Sequence, residues 1–514
     1  VPLPGRDCPV STAPDLSSLQ VKRYKGQQHK RKSTFCFTGV ASGIDYGVYN
    51  NSINALERGI KERVLMINVN DSWVRPFRPS EQDFASCTGS FSKRLKKNAM
   101  FTKPMTAVAY AMTFRSRKQT RYLKAAEQIE LFGFHDKFAD LSTFMKHEKL
   151  LFSTLSKRNK DPAPRIIQPR DDRYLVETGR YIKPIEKLVY KNIDDIYGSP
   201  TVFKTYNMQQ RGNLLHSKWT KYLDPVALGV DASKFDRHVS SSALKWEAGN
   251  YMHYYPGDKY LQRLLKLQRN NTGRARAADG RLKYTNKHGR ASGDSNTSCG
   301  NVLIMCAIMY GYYEAKQVVA DLVNDGDDCV IICERKDMYK FNDLPSWFER
   351  AGFIIIIEPP VYVFEKIEFC HSQPVFDCDG GYTMIRTPRE SISKDAVALK
   401  PLDNPKVKRM WMAAIGDGGL ALTAGIPVLQ EYYSMYKRSS DGAKPLTDPT
   451  LDGGFFRLST GMKRKPVKPS DYTRYSFWLA FNISPQEQLA LEAHYANLTL
   501  TTGDINDRFT PLPY

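Results

Sequence analysis

Apolar positions change period several times along the chain, and each change predicts an element. Ile53, Leu56 and Ile60 recur at helical spacing, which predicts an amphipathic helix over Asn51 to Leu65. Residues 90–150 carry further helical segments rich in Lys and Arg. Lys157 to Pro164 breaks that pattern, because Pro162 and Pro164 cannot sit inside a regular helix. Val226-Ala-Leu-Gly-Val230 is a continuous apolar run, the pattern of a buried strand. An apolar helix is predicted from about Val302. Two β-rich runs, Gln317 to Val323 and Cys329 to Cys333, flank Asn324-Asp-Gly-Asp-Asp328. Asp-Gly between such runs signals a hairpin, here with Asp327 and Asp328 at its tip. Ile354 to Ile357 reads as another buried strand, and after about residue 400 the chain is helical, down to a Pro-containing tail at Thr510 to Tyr514. Residues 1–34 are rich in Pro, Ser and polar side chains and end in a basic run, Lys22 to Lys32. They read as an arm that contacts RNA, a localisation signal or a solvated linker. Strands and helices together make the chain α+β, with no internal repeat.

Composition narrows the classes of function. The chain has 514 residues, enough for roughly three folded units, and 41% hydrophobic residues exclude a disordered or collagen-like chain. Lys and Arg number 75 against 54 Asp and Glu, a net charge of +21. A chain this basic meets a polyanion, either nucleic acid or an anionic membrane surface. Nine cysteines without a Cys-x-x-Cys pair argue for a reducing compartment. Cys370, His371 and Cys378 lie close in sequence but lack a fourth zinc ligand, so core cysteines are expected there. The longest near-apolar run, Asn301 to Tyr313, is too short to span a bilayer. No signal-peptide pattern opens the sequence, and the start at Val1 leads us to expect a fragment or processed product. Any membrane anchor is then expected upstream.

The acidic residues form an ordered series. Asp327 and Asp328 are adjacent carboxylates, which repel each other unless a divalent cation holds them ionised. Alone, Gly-Asp-Asp is equally a solvated turn. Asp231, however, ends the Val226–Val230 run, and Asp236 follows it in Asp231-Ala-Ser-Lys-Phe-Asp236. Asp231 can supply the second arm of a two-metal clamp, with metals about 4 Å apart. Between the two clusters lies Ser292-Gly293-Asp-Ser-Asn-Thr297-Ser-Cys-Gly-Asn301, a Gly-bearing loop that opens a helix with Thr297 and Asn301 on one face. Cys299 before Gly300 also resembles a protease nucleophile, but no supporting His or acid pattern accompanies it. No Gly-x-x-x-x-Gly-Lys-Ser/Thr sequence supports a fused P-loop helicase.

The order strand-acid, Gly-loop-helix, acidic hairpin resembles motifs A, B and C of the viral RNA-dependent RNA polymerases. More narrowly, it is similar to the replicases of tombusvirus-like plant viruses and their umbravirus and luteovirus relatives. Further matching phrases are Arg165-Ile-Ile-Gln-Pro-Arg170, Gly179-Arg-Tyr-Ile-Lys-Pro184, Phe364-Glu-Lys-Ile-Glu-Phe-Cys370, Leu402-Asp-Asn-Pro-Lys406 and Gly418-Gly-Leu-Ala-Leu422.

The resemblance implies a right hand of fingers, palm with an antiparallel sheet, and helical thumb. Residues 1–34 would be the basic arm or linker, 35–220 the fingers with motif F at about 157–184, and 401–514 the thumb and C-terminal tail. The palm would span 221–400, carry motifs A to E and hold an inserted fingers segment at about 240–288. It implies Asp231, Asp327 and Asp328 as catalytic, metal-holding acids for Mg²⁺ or Mn²⁺. It gives Asp236, Ser292, Thr297 and Asn301 to the nucleotide and its ribose, and Arg165 and Arg170 to the triphosphate. Arg suits that role because phosphoryl transfer needs cations around the developing charge. Gly293, Cys370 and Ser372 would face template and primer. Ile356 stands where relatives often carry a Lys credited with protonating pyrophosphate, so the general acid is left unassigned. The implied partners are RNA template and product, nucleoside triphosphates and an auxiliary viral replication protein. Membrane association through an upstream segment or partner would place the complex at host cytoplasmic membranes. The rival classes are a catalytically inactive RNA-binding scaffold of the same fold and a reverse transcriptase.

Overall fold

A four-stranded antiparallel sheet organises the centre of the chain, in the order Asp321–Asp325, Asp328–Glu334, Pro225–Ala232, Ile355–Ile357. The computed structural model describes residues 1–37, 39–40, 46–152, 161–448, 451, 454–455 and 457–500. Both faces of the sheet are covered, which is why its strands read as continuous apolar runs. Val226, Leu228, Val230, Leu322 and Ile331 pack with the helices Asp172–Tyr197 and Thr297–Lys316. Ala227, Val323, Val330 and Ile332 face the opposite way, onto Phe203, Met208, Leu215, Phe364 and Tyr382. The alternation of neighbouring residues between the two cores follows from the period of a strand.

Three element boundaries differ from the sequence pattern, each for a local reason. The central strand runs on to Ala232 because it pairs on both edges there, with Asp328 and with Ile355–Ile357. The helix predicted from Val302 already begins at Thr297 and ends where Gln317 turns left-handed at φ 49°. The first hairpin strand therefore starts at Asp321 rather than Gln317. Ile356, expected inside a buried strand, lies on the outermost strand of the sheet and is 58% exposed.

Residues 1–34 are not a solvated linker. Leu19–Arg23 pairs with Gly280–Asn286 at the edge of a five-stranded sheet completed by Asn271–Ala277, Leu141–Met145 and Ile166–Ile167. Leu19 and Val21 pack against a core that contains Ile53, Leu56 and Ile60, which is what draws the segment in. Pro2–Pro4 pairs with Ser33–Cys36. The predicted amphipathic helix forms over Ile53–Ile60, capped by Ser52 accepting from the Ala55 amide at 3.1 Å, and widens into a π-turn at Lys61–Leu65.

The C-terminal part is helical, as its pattern implies: Pro405–Thr423, Leu429–Ser439, Asp471–Phe481 and Pro485–Asn497. Their core of Trp411, Met412, Tyr432, Tyr436 and Tyr495 also takes in Phe35 and Phe37. The tail at Thr510 to Tyr514 and residues 157–160 of the Pro-containing break lie outside the described residues. Among the described residues no helix is long and apolar enough to cross a membrane.

Candidate active site

The acids gather at one end of the central sheet. In the hairpin, Asp325 pairs with Asp328, which leaves Gly326 and Asp327 as a two-residue turn. Gly326 holds φ +85°, the left-handed value such a turn demands. Asn324 stitches the turn from beneath, donating to the Gly326 carbonyl at 2.7 Å and accepting from its amide at 3.1 Å. Asp231 lies directly opposite Asp328 on one side and Ile356 on the other. Its strand neighbours Val230 and Ala232 are buried while Asp231 itself is exposed.

These carboxylates act on one another. Asp327 is pushed up to about 6, first by desolvation and then by the charges of Asp236 and Asp328. Asp328 is also raised, mainly by desolvation, with Asp231 and Asp325 adding to it and His371 opposing. Asp325, by contrast, is paired. Burial alone would raise it, but Lys204 at 2.7 Å and Arg211 at 2.8 Å hold it below its ordinary value.

Among the described residues, no three His, Cys, Asp or Glu side chains close around a single point. The donor set is nevertheless of one chemistry: carboxylate oxygens at neighbouring positions of the sheet end, without a salt bridge among the described residues and repelling each other. It fits a hard divalent cation of the Mg²⁺ class, which keeps most of its shell from water and phosphate and takes few protein carboxylates.

A polar cavity of about 270 Å³ adjoins the turn. Asp327, Asp236, Asn301 and Ser292 line it together with five basic side chains, Arg63, Arg165, Lys234, Arg237 and Arg290. Asn301 Nδ2 donates to Asp236 Oδ1 at 2.8 Å, and Asn301 Oδ1 is buried without a hydrogen-bond partner among the described residues. Burial raises the Asp236 carboxyl, with the Asn301 bond and Arg290 opposing. Asp231 is not in this wall. It opens onto a neighbouring cleft with Ile356 and Glu358, and its strand partner Asp328 follows Asp327 of the cavity wall in the chain.

The Gly-bearing loop is strapped to the segment that carries Arg165. Gln168 donates its amide to the Ser292 carbonyl at 2.8 Å, and Ser292 Oγ donates to the Ile166 carbonyl at 2.9 Å. Gly293 sits between them at φ +134°, where a Cβ would meet the Pro169 backbone at 3.1 Å. Its role is this close approach. Thr297 Oγ1 donates to the Ala291 carbonyl at 3.1 Å, so it closes the loop instead of facing the cavity.

Three further expected roles change. Arg170 does not face a triphosphate: it is fully buried, bidentate to Asp294 at 2.5 and 3.0 Å, and bonded to Asn271 and the Ala139 carbonyl. Ser372 is fully buried, out of reach of any primer. Cys370 Sγ points back to Asp325 Oδ2 at 3.7 Å, under the acidic hairpin, and burial first and Asp325 second push its thiol far up. The nucleophile reading of Cys299 fails likewise, since the residue is completely buried and its thiol is raised by desolvation.

Four cavity cations, Arg63, Lys234, Arg237 and Arg290, were not assigned from the sequence. Lys234 was legible, lying inside the Asp231-to-Asp236 spacing. Arg63 carries no signal, because the fold alone brings the Lys61–Leu65 turn to the cavity.

A family model described as viral RNA dependent RNA polymerase matches residues 19–503. The RNA-directed RNA polymerase of Tobacco necrosis virus (strain A) is 38% identical over 506 residues, covering 98% of this chain and 68% of that protein. That of Turnip crinkle virus is 39% identical over 480 residues, covering 92% and 60%. That of Maize chlorotic mottle virus is 38% identical over 491 residues, covering 93% and 49%. The chain thus spans about half to two thirds of the length of these relatives.

Proposed function

The chain belongs to the viral RNA-dependent RNA polymerase family, and we propose that it copies RNA from an RNA template for a positive-strand RNA virus of plants. The observation that carries the reading is the Asn301–Asp236 hydrogen bond of 2.8 Å, set in one cavity with Asp327 and five basic side chains. A polar pair suited to a sugar hydroxyl, a carboxylate beside it and a basic rim are together what a ribonucleoside triphosphate requires.

Each group has a distinct task in this reading. Arg165, 56% exposed and in contact with Glu148 at 3.4 Å, turns its guanidinium to the triphosphate. Asp236 and Asn301 fix the ribose through its 2′-hydroxyl. Asp231, Asp327 and Asp328 are the residues that would hold Mg²⁺ or Mn²⁺, cations that when bound neutralise charge on the attacking and leaving oxygens. Gly293 keeps the Gly-bearing loop tight against the Arg165 segment, so that the ribose and phosphate walls stay in register.

We assign fingers to 35–220, palm to 221–400 with a fingers insertion at about 240–288, and thumb to 401–514. The sheet that carries the acids is the palm in this scheme. An auxiliary viral replication protein and a setting at host cytoplasmic membranes follow from the resemblance and belong to the proposal. Unpaired Asp231 and Asp327 argue against an inactive scaffold, and the Asp236–Asn301 pair argues against a reverse transcriptase, which has to admit deoxynucleotides.

The test is incorporation of labelled ribonucleotides on a bare RNA template, without primer, with Mg²⁺ and with Mn²⁺. Product complementary to the template is expected. RNA binding without synthesis under either cation would favour the scaffold.

A further inference from the structure

Transfer of a nucleotide joins the 3′-oxygen of the growing strand to the α-phosphorus and breaks the bond from that phosphorus to the α,β-bridging oxygen. The bridging oxygen departs with the electron pair, and a proton delivered to it lowers the barrier. Ile356 has no proton to give and lies outside the nucleotide cavity, facing the Asp231 cleft. The donor has to be sought in the cavity wall. Arg63 and Arg165 bring charge but do not release protons at working pH. Lys234 is the lysine of that wall. Lys204, close to the hairpin turn, is committed to Asp325 at 2.7 Å.

The backbone of Lys234 is held firmly. It sits left-handed at φ 47°, a conformation costly for a residue with a Cβ and kept only where its surroundings impose it. Phe235 is buried and stacked on Phe353 with ring centroids 4.6 Å apart. His238 Nδ1 bonds to the Lys234 carbonyl at 3.2 Å, and the Asp236 carbonyl accepts from the Arg290 amide at 2.7 Å. The side chain itself is exposed to the cavity.

We propose that Lys234 Nζ donates the proton taken up by the departing pyrophosphate, an assignment that rests on the polymerase reading above. The Nζ–H bond breaks as the bridging oxygen gains the proton. Lys234 is left as a neutral amine and recovers a proton from water before the next nucleotide.

The electrostatic setting supports this. Arg237 and His238 lie in its own turn, Arg63 and Glu62 approach from the Lys61–Leu65 turn, Arg165 lines the same wall, and Asp236, Arg290 and Asp327 lie across the cavity. Desolvation first, then Arg237 and Arg63, bring the ammonium down to about 8, against the pull of Glu62. A donor ionising near working pH is the efficient kind.

Pre-steady-state incorporation of a natural nucleotide, its β,γ-difluoromethylene analogue and its β,γ-methylene analogue tests the assignment, because the three leaving groups differ in acidity. Wild-type rates should fall as pH rises above about 8. Lys234→Arg keeps the charge without the proton. It should be slower by about 10²-fold, lose that fall, and bind nucleotide within about threefold of wild type. Its rates should also spread more widely across the three substrates. Lys234→Gly relaxes the left-handed backbone and guards against misfolding, and added methylammonium should partly restore its rate. An Arg variant with the wild-type pH profile, or one slowed equally with all three substrates, overturns the proposal while leaving the polymerase reading intact. A wild-type chain that incorporates nothing overturns that reading first.

Discussion

Arg165 and Arg170 stand five positions apart in one sequence phrase, and the fold gives them opposite work. Arg165 is 56% exposed at the cavity rim, whereas Arg170 is 0% exposed and clamped to Asp294. The same division runs through the other charges. Arg290 with Glu247 and Arg464 with Asp377 are buried pairs, while Arg63, Lys234, Asp231 and Asp327 at the cavities form no salt bridge among the described residues. Apart from the 3.4 Å Arg165–Glu148 contact, the charges assigned to a ligand have no salt bridge among the described residues, whereas charges that brace the scaffold are neutralised inside it. A buried charge without its partner is strongly destabilising, whereas an exposed one is tolerated.

The sharpest break of this division would come from the unpaired acids. Asp231→Ala or Asp327→Ala should leave folding and RNA binding intact but reduce synthesis by more than about 10²-fold, some 2.7 kcal/mol of barrier. Filter binding, thermal melting and incorporation on the same preparation would check it. Activity above about one per cent of wild type would place those acids with the scaffold.

The two arginines give the next largest contrast. Arg170→Ala strands Asp294 in the interior and should cost about 3–5 kcal/mol of stability, visible as a large fall in Tm. Arg165→Ala should leave Tm unchanged and raise KM for nucleotide about tenfold or more, since a bond to a charged group contributes about 1.5–3 kcal/mol. An Arg170→Ala protein that melts normally but binds nucleotide poorly would reverse the assignment.

How far the residues announced this division depends on how local its causes are. The acidic hairpin was legible because Asp-Gly needs only its flanking β-rich runs to declare a turn, and Asp236 with Asn301 because spacing put each on a known element. Arg170 was misread because its partner Asp294 lies 124 positions away. Nothing near Arg170 says that it is buried. Ile356 misled for a similar reason: an apolar run states that a strand forms, and only the sheet order states that it is the exposed edge. The fate of residues 1–34 was hidden too, since Leu19 and Val21 are too few to show a period until Gly280–Asn286 pairs beside them.

The pH response separates paired from unpaired acids more finely. Asp327 ionises at about 6 in the folded chain, against about 3.9 for a free Asp. Its protonated form is therefore favoured by folding, and the cation-free chain should lose stability as pH rises from about 4 through 6. A divalent cation needs the ionised form, so Mg²⁺ should bind about tenfold more weakly at pH 5 than at pH 7. Melting with and without Mg²⁺ across that range would show it, and Asp327→Asn should flatten it. Asp325, held low by Lys204 and Arg211, should contribute nothing in this window.

The smallest effect tests a role within the cavity. Asn301 Nδ2 donates to Asp236 Oδ1 at 2.8 Å, and its Oδ1 has no partner among the described residues. A 2′-hydroxyl could donate to that oxygen, and a deoxynucleotide would leave it unsatisfied, at about 1–3 kcal/mol. A site built to bond a hydroxyl rejects the analogue that lacks it far better than an apolar pocket does. Asn301→Ala should lower use of GTP and narrow the GTP-to-dGTP ratio of kcat/KM by up to about tenfold, or about 1.4 kcal/mol. Asn301 also lies in the first turns of the Thr297–Lys316 helix, so its loss could act through packing alone. Packing would slow both nucleotides equally, whereas sugar recognition changes their ratio. An unchanged ratio would move Asn301 from the ligand-facing groups to the scaffold, and Asp236 with it.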